Sequence, residues 1–177
     1  MTTQVFAIVG PSGAGKDTLI AGALKARPDI RLVRRVITRP TDAGGEEYEG
    51  VSETVFATRA ARGDFALTWE AHGLHYGIPR SEVDHPGTVV FNGSRAALPA
   101  AQQAFPDLQV ILVTAPTDIL AHRLAARGRE TEAQIRDRLD RAEFELPEGV
   151  LATTVLNEGP VEAGVERLLA ALQPVRA

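Results

Sequence analysis

Five apolar residues in a row, Val5-Phe6-Ala7-Ile8-Val9, run directly into Gly10-Pro11-Ser12-Gly13-Ala14-Gly15-Lys16, and Asp17-Thr18 then open a stretch carrying Leu19, Ile20, Ala23 and Leu24 at helical spacing. A continuous apolar run rich in β-branched residues is the pattern of a strand covered on both faces, as in a parallel sheet between helix layers. The turn matches G-x-x-x-x-G-K, and it sits where that motif has a mechanism, between a buried strand and a helix. Its glycines let backbone N–H groups fold round a phosphate, the helix N-terminus adds a favourable dipole, and Lys16 supplies a point charge. Gly10 to Thr18 are therefore the candidate ATP-binding residues. The position after the lysine, usually a Ser or Thr that holds Mg²⁺, is Asp17. A carboxylate beside a triphosphate is tolerable with a cation between them, so Asp17 either holds Mg²⁺, directly or through water, or caps the helix.

The rest of the chain alternates strand and helix. Strand runs are Arg31 to Thr38, Val89 to Phe91, Val110 to Thr114 and Thr153 to Leu156. Helices are expected over Ala96 to Ala104, Asp118 to Ala126, Thr131 to Leu146 with Thr131 as cap, and Val161 to Leu172. This order implies an α/β fold with a mostly parallel sheet flanked by helices in three layers. Residues from about Thr38 to Pro86 break the alternation, with Ser52 as a helix N-cap and short strands around His72-Gly73. The expected organisation is a single domain over 1–177, with a core of 1–33, 87–123 and 142–177, an acceptor-binding insertion at about 34–86 and a helical lid at about 124–141.

Composition removes several functions. With no cysteine among 177 residues, thiol nucleophiles, disulfides and thiolate metal sites are excluded. A net charge of -4 argues against a nucleic-acid partner. No apolar stretch reaches the length of a membrane span, and the start lacks the basic segment of a secretory leader, so a soluble cytoplasmic protein with no membrane partner is expected. The oligomeric state is not set by the sequence, and a homodimer stays open.

Within that acidic balance, 17 of the 19 basic residues are arginine, and the two lysines are Lys16 and Lys25. Arg123, Arg127, Arg129, Arg136, Arg138 and Arg141 fall within nineteen residues around a Gly-containing turn. Guanidinium forks suit phosphate oxygens, so this segment reads as a lid over a polyphosphate, although the interleaved acids could also satisfy it as a solvated helix pair. Arg34, Arg35 and Arg39 cluster at the expected end of the second strand, where open α/β sheets bind ligands. A second anionic substrate is the natural inference.

In its motifs the chain resembles the guanylate kinase-like nucleoside monophosphate kinases: T-R-P at Thr38 to Pro40, Tyr48, V-S-E-x-x-F at Val51 to Phe56, E-x-H-G-x-x-Y-G at Glu70 to Gly77, R-x-x-x-R-G-R at Arg123 to Arg129, and R-L-x-R-A at Arg138 to Ala142. The resemblance implies that Arg39, Tyr48 and Tyr76 hold the acceptor's phosphate and that Arg123, Arg127 and Arg138 act with Lys16 on the ATP phosphates. The departures are informative. Where that family reads guanine with a Glu, an Asp and a hydroxyl residue, this chain has Leu67, Asn92 and Ile78, and its phosphate-binding Ser appears as Arg35. A site that loses its base-reading partners loses most of its discrimination. Arg35 and Arg95 suit a smaller acceptor richer in phosphate.

The combination G-P-S-G-A-G-K-D-T, V-I-T-R-P, W-E-A-H-G-L-x-Y-G-I-P and N-G-S-R closely resembles the ribose 1,5-bisphosphate phosphokinases of bacterial phosphonate degradation, in which Asp17 is the usual residue. That resemblance implies ATP and Mg²⁺ as cofactors and a phosphorylated sugar as substrate. The γ-phosphoryl group would pass to the anomeric phosphate, giving 5-phosphoribosyl 1-diphosphate. Arg35, Arg39, Tyr48, Tyr76, Asn92 and Arg95 become the acceptor set. His72 and His75 flank a Gly turn and are weighted toward loop structure or substrate contact over acid–base work, and Trp69 toward packing or the acceptor wall. A nucleotide kinase, a gluconate-type kinase and an inactive binding module are the competing readings.

Overall fold

Val5 to Val9 are all buried, with Ala7, Ile8 and Val9 fully inaccessible, as a strand covered on both faces requires. They belong to β1 (Thr3–Val9), the middle strand of a five-stranded sheet in a computed structural model that describes residues 3–11, 13–40, 48–126, 128, 131, 133–135 and 146–173. The remaining elements are α1 (Lys16–Ala26), β2 (Arg31–Leu32), β3 (Val36–Ile37), β4 (Glu49–Gly50), α2 (Glu53–Ala61), β5 (Phe65–Ala71), β6 (Leu74–Pro79), α3 (Arg80–Val83), β7 (Gly87–Asn92), α4 (Leu98–Ala104), β8 (Gln109–Thr114), α5 (Thr117–Ala125), β9 (Thr153–Leu156) and α6 (Val161–Ala171). The main sheet runs β2-β7-β1-β8-β9, and a second sheet runs β4-β3-β6-β5. The pairs β2–β7 and β8–β9 are parallel, as the α/β reading expects.

The chain divides into two compact units, Met1–Ala7 with Pro28–Gln109, and Ile8–Arg27 with Val110–Ala177. In the first, the expected single strand from Arg31 to Thr38 is two short ones. β2 pairs with β7, the Val33 N–H still donates to Val90 O at 2.9 Å, and the chain then leaves for the second sheet, where Val36 faces Gly77 and Ile37 faces Tyr76. An apolar run records that a strand is buried but not which neighbour it pairs with, so the change of sheet is invisible in the sequence. β5 and β6 form a hairpin whose two turn residues, His72 at φ 54° and Gly73 at φ 72°, both have the positive φ that a twist-matched two-residue turn needs. Ser52 caps α2, its Oγ accepting the Val55 N–H at 3.1 Å. That helix lays Phe56 on Phe65, ring centroids 4.8 Å apart, against Val36 and Val51. Gly77 is required by the same cluster, since a Cβ there would come within 2.7 Å of the Phe65 ring.

In the second unit, α1 and α6 pack closely because each presents a glycine to the other. A Cβ on Gly22 would lie 2.5 Å from Val165 Cγ2, and one on Gly164 2.8 Å from Leu19 Cδ2. β9 follows β8 in parallel from Ile111–Thr153 to Thr114–Leu156. At the start of the helix expected over Thr131 to Leu146, Thr131 Oγ1 accepts the Gln134 N–H at 3.3 Å and Gln134 Oε1 accepts the Thr131 N–H at 3.1 Å, a reciprocal capping box, and residues 136–145 of that expected helix lie outside the described residues. The expected lid arginines Arg127, Arg129, Arg136, Arg138 and Arg141 lie outside the described residues, as does Ser12.

Candidate active site

β1 ends at Val9, and the loop that follows turns on two residues with positive φ, Gly13 at 85° and Gly15 at 84°. Only glycine adopts this conformation without strain. Gly15 is also the N-cap of α1 and brings no side-chain cap, and a helix N-terminus of this kind favours an anion. Lys16 and Asp17 stand in that turn, Lys16 half-buried and Asp17 and Thr18 exposed. Lys25, in the last turn, is exposed on the surface. Gly10 has a different reason for being glycine, because a Cβ there would overlap the Val113 carbonyl oxygen on β8.

The loop is held from outside through two successive carbonyls. Arg123, half-buried on α5, donates from Nη1 to Gly13 O at 2.9 Å. Asn157, just past β9 and buried, donates from Nδ2 to Ala14 O at 2.7 Å. Pro11 O accepts the Ala14 N–H at 3.2 Å, which closes the turn. Arg123 was expected to meet phosphate; here its guanidinium reaches the loop that would carry phosphate. Asn157 is absent from the expected set. A polar residue directly after a short terminal strand, in Leu156-Asn157-Glu158-Gly159, is the only trace of it in the sequence.

Among the described residues, no group of three or more His, Asp or Glu side chains is placed to hold a metal. Asp17 stands beside Lys16 at the start of α1, one carboxylate where phosphate and water could supply the remaining oxygens around a divalent cation. That is how Mg²⁺ is usually bound in phosphoryl-transfer sites, so the residues present fit it.

The residues expected to bind the acceptor belong to the other unit. Arg39 Nε donates to the Tyr48 hydroxyl at 3.0 Å, its guanidinium carbon lies 4.5 Å from the Tyr48 ring centroid, and the hydroxyl donates in turn to Pro40 O. Tyr48 is buried. Arg39 also lines an open cavity of about 270 Å³ with Thr38, Pro40, Gly50, Val51 and Ser52. That is slightly below the ~300 Å³ at which drug-sized ligand sites begin. Arg35 Nη1 donates to Asn92 O at 3.1 Å, and its guanidinium carbon is 5.6 Å from the Tyr76 ring centroid. Tyr76 stacks on Trp69 across the β5–β6 hairpin at 5.2 Å and 5°. The structure thus joins Arg39 to Tyr48 and Arg35 to Tyr76 and Asn92, while Arg95, itself exposed, opens a turn of 3-10 helix (Arg95–Ala97) after β7.

His75 serves the sheet. Its N–H donates to Thr38 Oγ1 at 2.9 Å, its carbonyl accepts from Thr38 N at 3.1 Å, and its ring tilts against Phe56. Trp69 Nε1 and Ser94 Oγ, both buried in this unit, have no hydrogen-bond partner among the described residues. Leu67 and Ile78 face each other across β5 and β6, 5% and 0% exposed.

No family model matches the chain. It is 49% identical over 177 residues to the ribose 1,5-bisphosphate phosphokinase PhnN of Ruegeria sp. (strain TM1040), covering 98% of this chain and 93% of that protein. It is 48% identical over 176 residues to the bifunctional ribose 1,5-bisphosphokinase-thymidine phosphorylase of Cupriavidus necator, covering 97% of this chain but spanning only 29% of that longer protein. Among solved structures, a guanylate kinase from Anaplasma phagocytophilum superposes with a TM-score of 0.67 at 18% identity, over 97% of this chain and 85% of that one, a likeness of fold.

Proposed function

The chain belongs to the ribose 1,5-bisphosphate phosphokinase family, and we propose that it transfers the γ-phosphoryl group of ATP to the anomeric phosphate of ribose 1,5-bisphosphate, giving ADP and 5-phospho-α-D-ribose 1-diphosphate. The product would supply nucleotide and NAD synthesis and connect to phosphonate breakdown. The observation that carries this choice of acceptor over a nucleotide is the Leu67–Ile78 pair. At the two places where guanylate kinases resemble this chain yet read the base with a Glu and a hydroxyl residue, it buries two apolar side chains against one another. Neither can make a hydrogen bond to a purine.

The donor reading rests on the loop from Gly10 to Thr18. Backbone N–H groups at the α1 N-terminus and the Lys16 ammonium bind the phosphates of ATP and offset the charge that develops on transfer. Mg²⁺, when bound, neutralises charge on the donor's phosphate oxygens, and Asp17 is the residue that would hold it. Arg123, Arg127 and Arg138 complete the donor set, Arg123 through the loop carbonyl it already grips. The attacking group is a phosphate oxygen ionised near neutral pH, so no side chain is needed as a strong base, in keeping with the His75 ring packing against Phe56. Arg39, Tyr48 and Tyr76 orient the acceptor, and Arg35, Asn92 and Arg95 serve its second phosphate. Within one kinase domain, residues 34–86 form the acceptor-binding part and 124–141 the lid.

No helix of the described residues is long and apolar enough to cross a membrane, and we place the reaction in the cytoplasm with small phosphorylated metabolites as its partners. The test is to supply purified protein with Mg-ATP and ribose 1,5-bisphosphate, GMP, AMP or gluconate and to follow ADP. The bisphosphate is expected to turn over fastest. Faster turnover of GMP would make the chain a nucleotide kinase, and silence with every acceptor would make it a binding module.

A further inference from the structure

We infer that Asn157 is a positioning residue for phosphate transfer, which aims the Gly15 N–H at the donor's phosphates by holding the Ala14 carbonyl from behind. A trans peptide unit is planar, with its C=O and N–H antiparallel. The 2.7 Å hydrogen bond from Asn157 Nδ2 to Ala14 O therefore fixes the plane shared with Gly15 and turns the Gly15 N–H to the opposite side, away from Asn157. Ala14 lies between two positive-φ glycines, Gly13 and Gly15, so without that bond the Ala14–Gly15 peptide is flanked by conformationally permissive residues.

The carboxamide is itself immobilised. Asn157 is 5% exposed, and its backbone N–H donates to Thr114 O at 2.7 Å. Arg167 Nη1 bridges the carbonyls on either side of it, Leu156 O at 2.8 Å and Glu158 O at 3.3 Å. Two glycines make its room. A Cβ on Gly15 would overlap Asn157 Nδ2, and one on Gly164 would stand 2.6 Å from Oδ1. Glycine is unfavourable within a helix, and Gly164 in α6 makes room for this amide as well as for Leu19. A residue that only filled space here would need no donor. The donor is what the loop uses.

This inference rests on the ATP reading of the loop and is independent of the acceptor. Its test is calorimetric titration of the full chain with ADP and with inorganic tripolyphosphate, for the wild type and for Asn157→Asp, which keeps the shape but replaces the donor with an acceptor. Wild type is expected to bind both ligands. Asn157→Asp should bind both about tenfold or more weakly, while its KM for ribose 1,5-bisphosphate stays within about twofold of wild type, below the threshold of one typical hydrogen bond. The defect should narrow as pH falls, since a protonated carboxyl can donate again. If Asn157→Asp does not fold, Asn157→Ser is the variant measured. Unchanged tripolyphosphate affinity in either folded variant overturns the inference. So does an equal loss of affinity for the acceptor, which marks general disorder of the fold. A wild type that binds neither polyphosphate defeats the ATP reading itself.

Discussion

Arg39 meets Tyr48 twice, its Nε 3.0 Å from the hydroxyl and its guanidinium carbon 4.5 Å from the ring centroid, so the phenol holds both the direction and the plane of the cation. Tyr48→Phe keeps the ring and removes the hydroxyl that links Arg39 to Pro40 O. Stability should fall by about 1 kcal/mol for the part-buried hydrogen bonds lost. The KM for the acceptor should rise about tenfold, with a smaller change in kcat. Urea unfolding and initial rates at saturating ATP check the two effects separately.

Lys16→Ala should leave the fold intact, because the side chain is half-buried at the start of α1 and carries none of its core. Loss of its charge beside the transferring group should lower kcat about 10²-fold or more, with the thermal midpoint nearly unchanged. A variant that kept full activity would remove the ammonium from the mechanism.

Leu67→Glu asks whether a base-reading carboxylate can be restored by itself. The position is buried and faces Ile78, which offers no hydrogen bond. The uncompensated charge should destabilise the protein by several kcal/mol. Activity on GMP should not appear. Denaturant midpoints and ADP release with GMP measure both, and GMP turnover in a stably folded variant would show that the base site needs less than a rebuilt strand pair.

Ser94→Ala separates stability from function. Its hydroxyl is buried with no partner among the described residues, between Asn92 and Arg95. Removing an unsatisfied buried hydroxyl should be neutral or stabilising by up to about 1 kcal/mol. If that hydroxyl serves the acceptor, the KM for ribose 1,5-bisphosphate should rise while the thermal midpoint holds or increases. A fall in both stability and affinity would assign Ser94 to the fold.

What the sequence could say depended on how local the physics was. The strand, turn and helix around Gly10 to Lys16, the Ser52 cap, the Thr131 capping box and the His72-Gly73 hairpin are each set within a few residues, and each is readable from residue type and spacing. Two features were not. The exchange of sheets between Leu32 and Val36 depends on partners far along the chain, Val90 for the first strand and Tyr76 and Gly77 for the next. Asn157 is 143 positions from the carbonyl it holds, and a lone asparagine after a strand looks the same whether it faces water or a phosphate loop. Arg123 was legible as a cation near polyphosphate, but its grip on Gly13 O is a distance of geometry, not of pattern.

The two ends of the glycine motif answer to different demands. Gly15 needs a left-handed backbone and room for an amide, whereas Gly10 is glycine because the Val113 carbonyl of a neighbouring strand occupies the space of a side chain. A descendant of this chain that abandoned ATP would be released from Lys16 at once, yet any residue larger than hydrogen at position 10 would still push against the centre of the sheet. Its first glycine would persist as a fossil of packing, and a recognisable half of the signature would outlive the activity it is taken to announce.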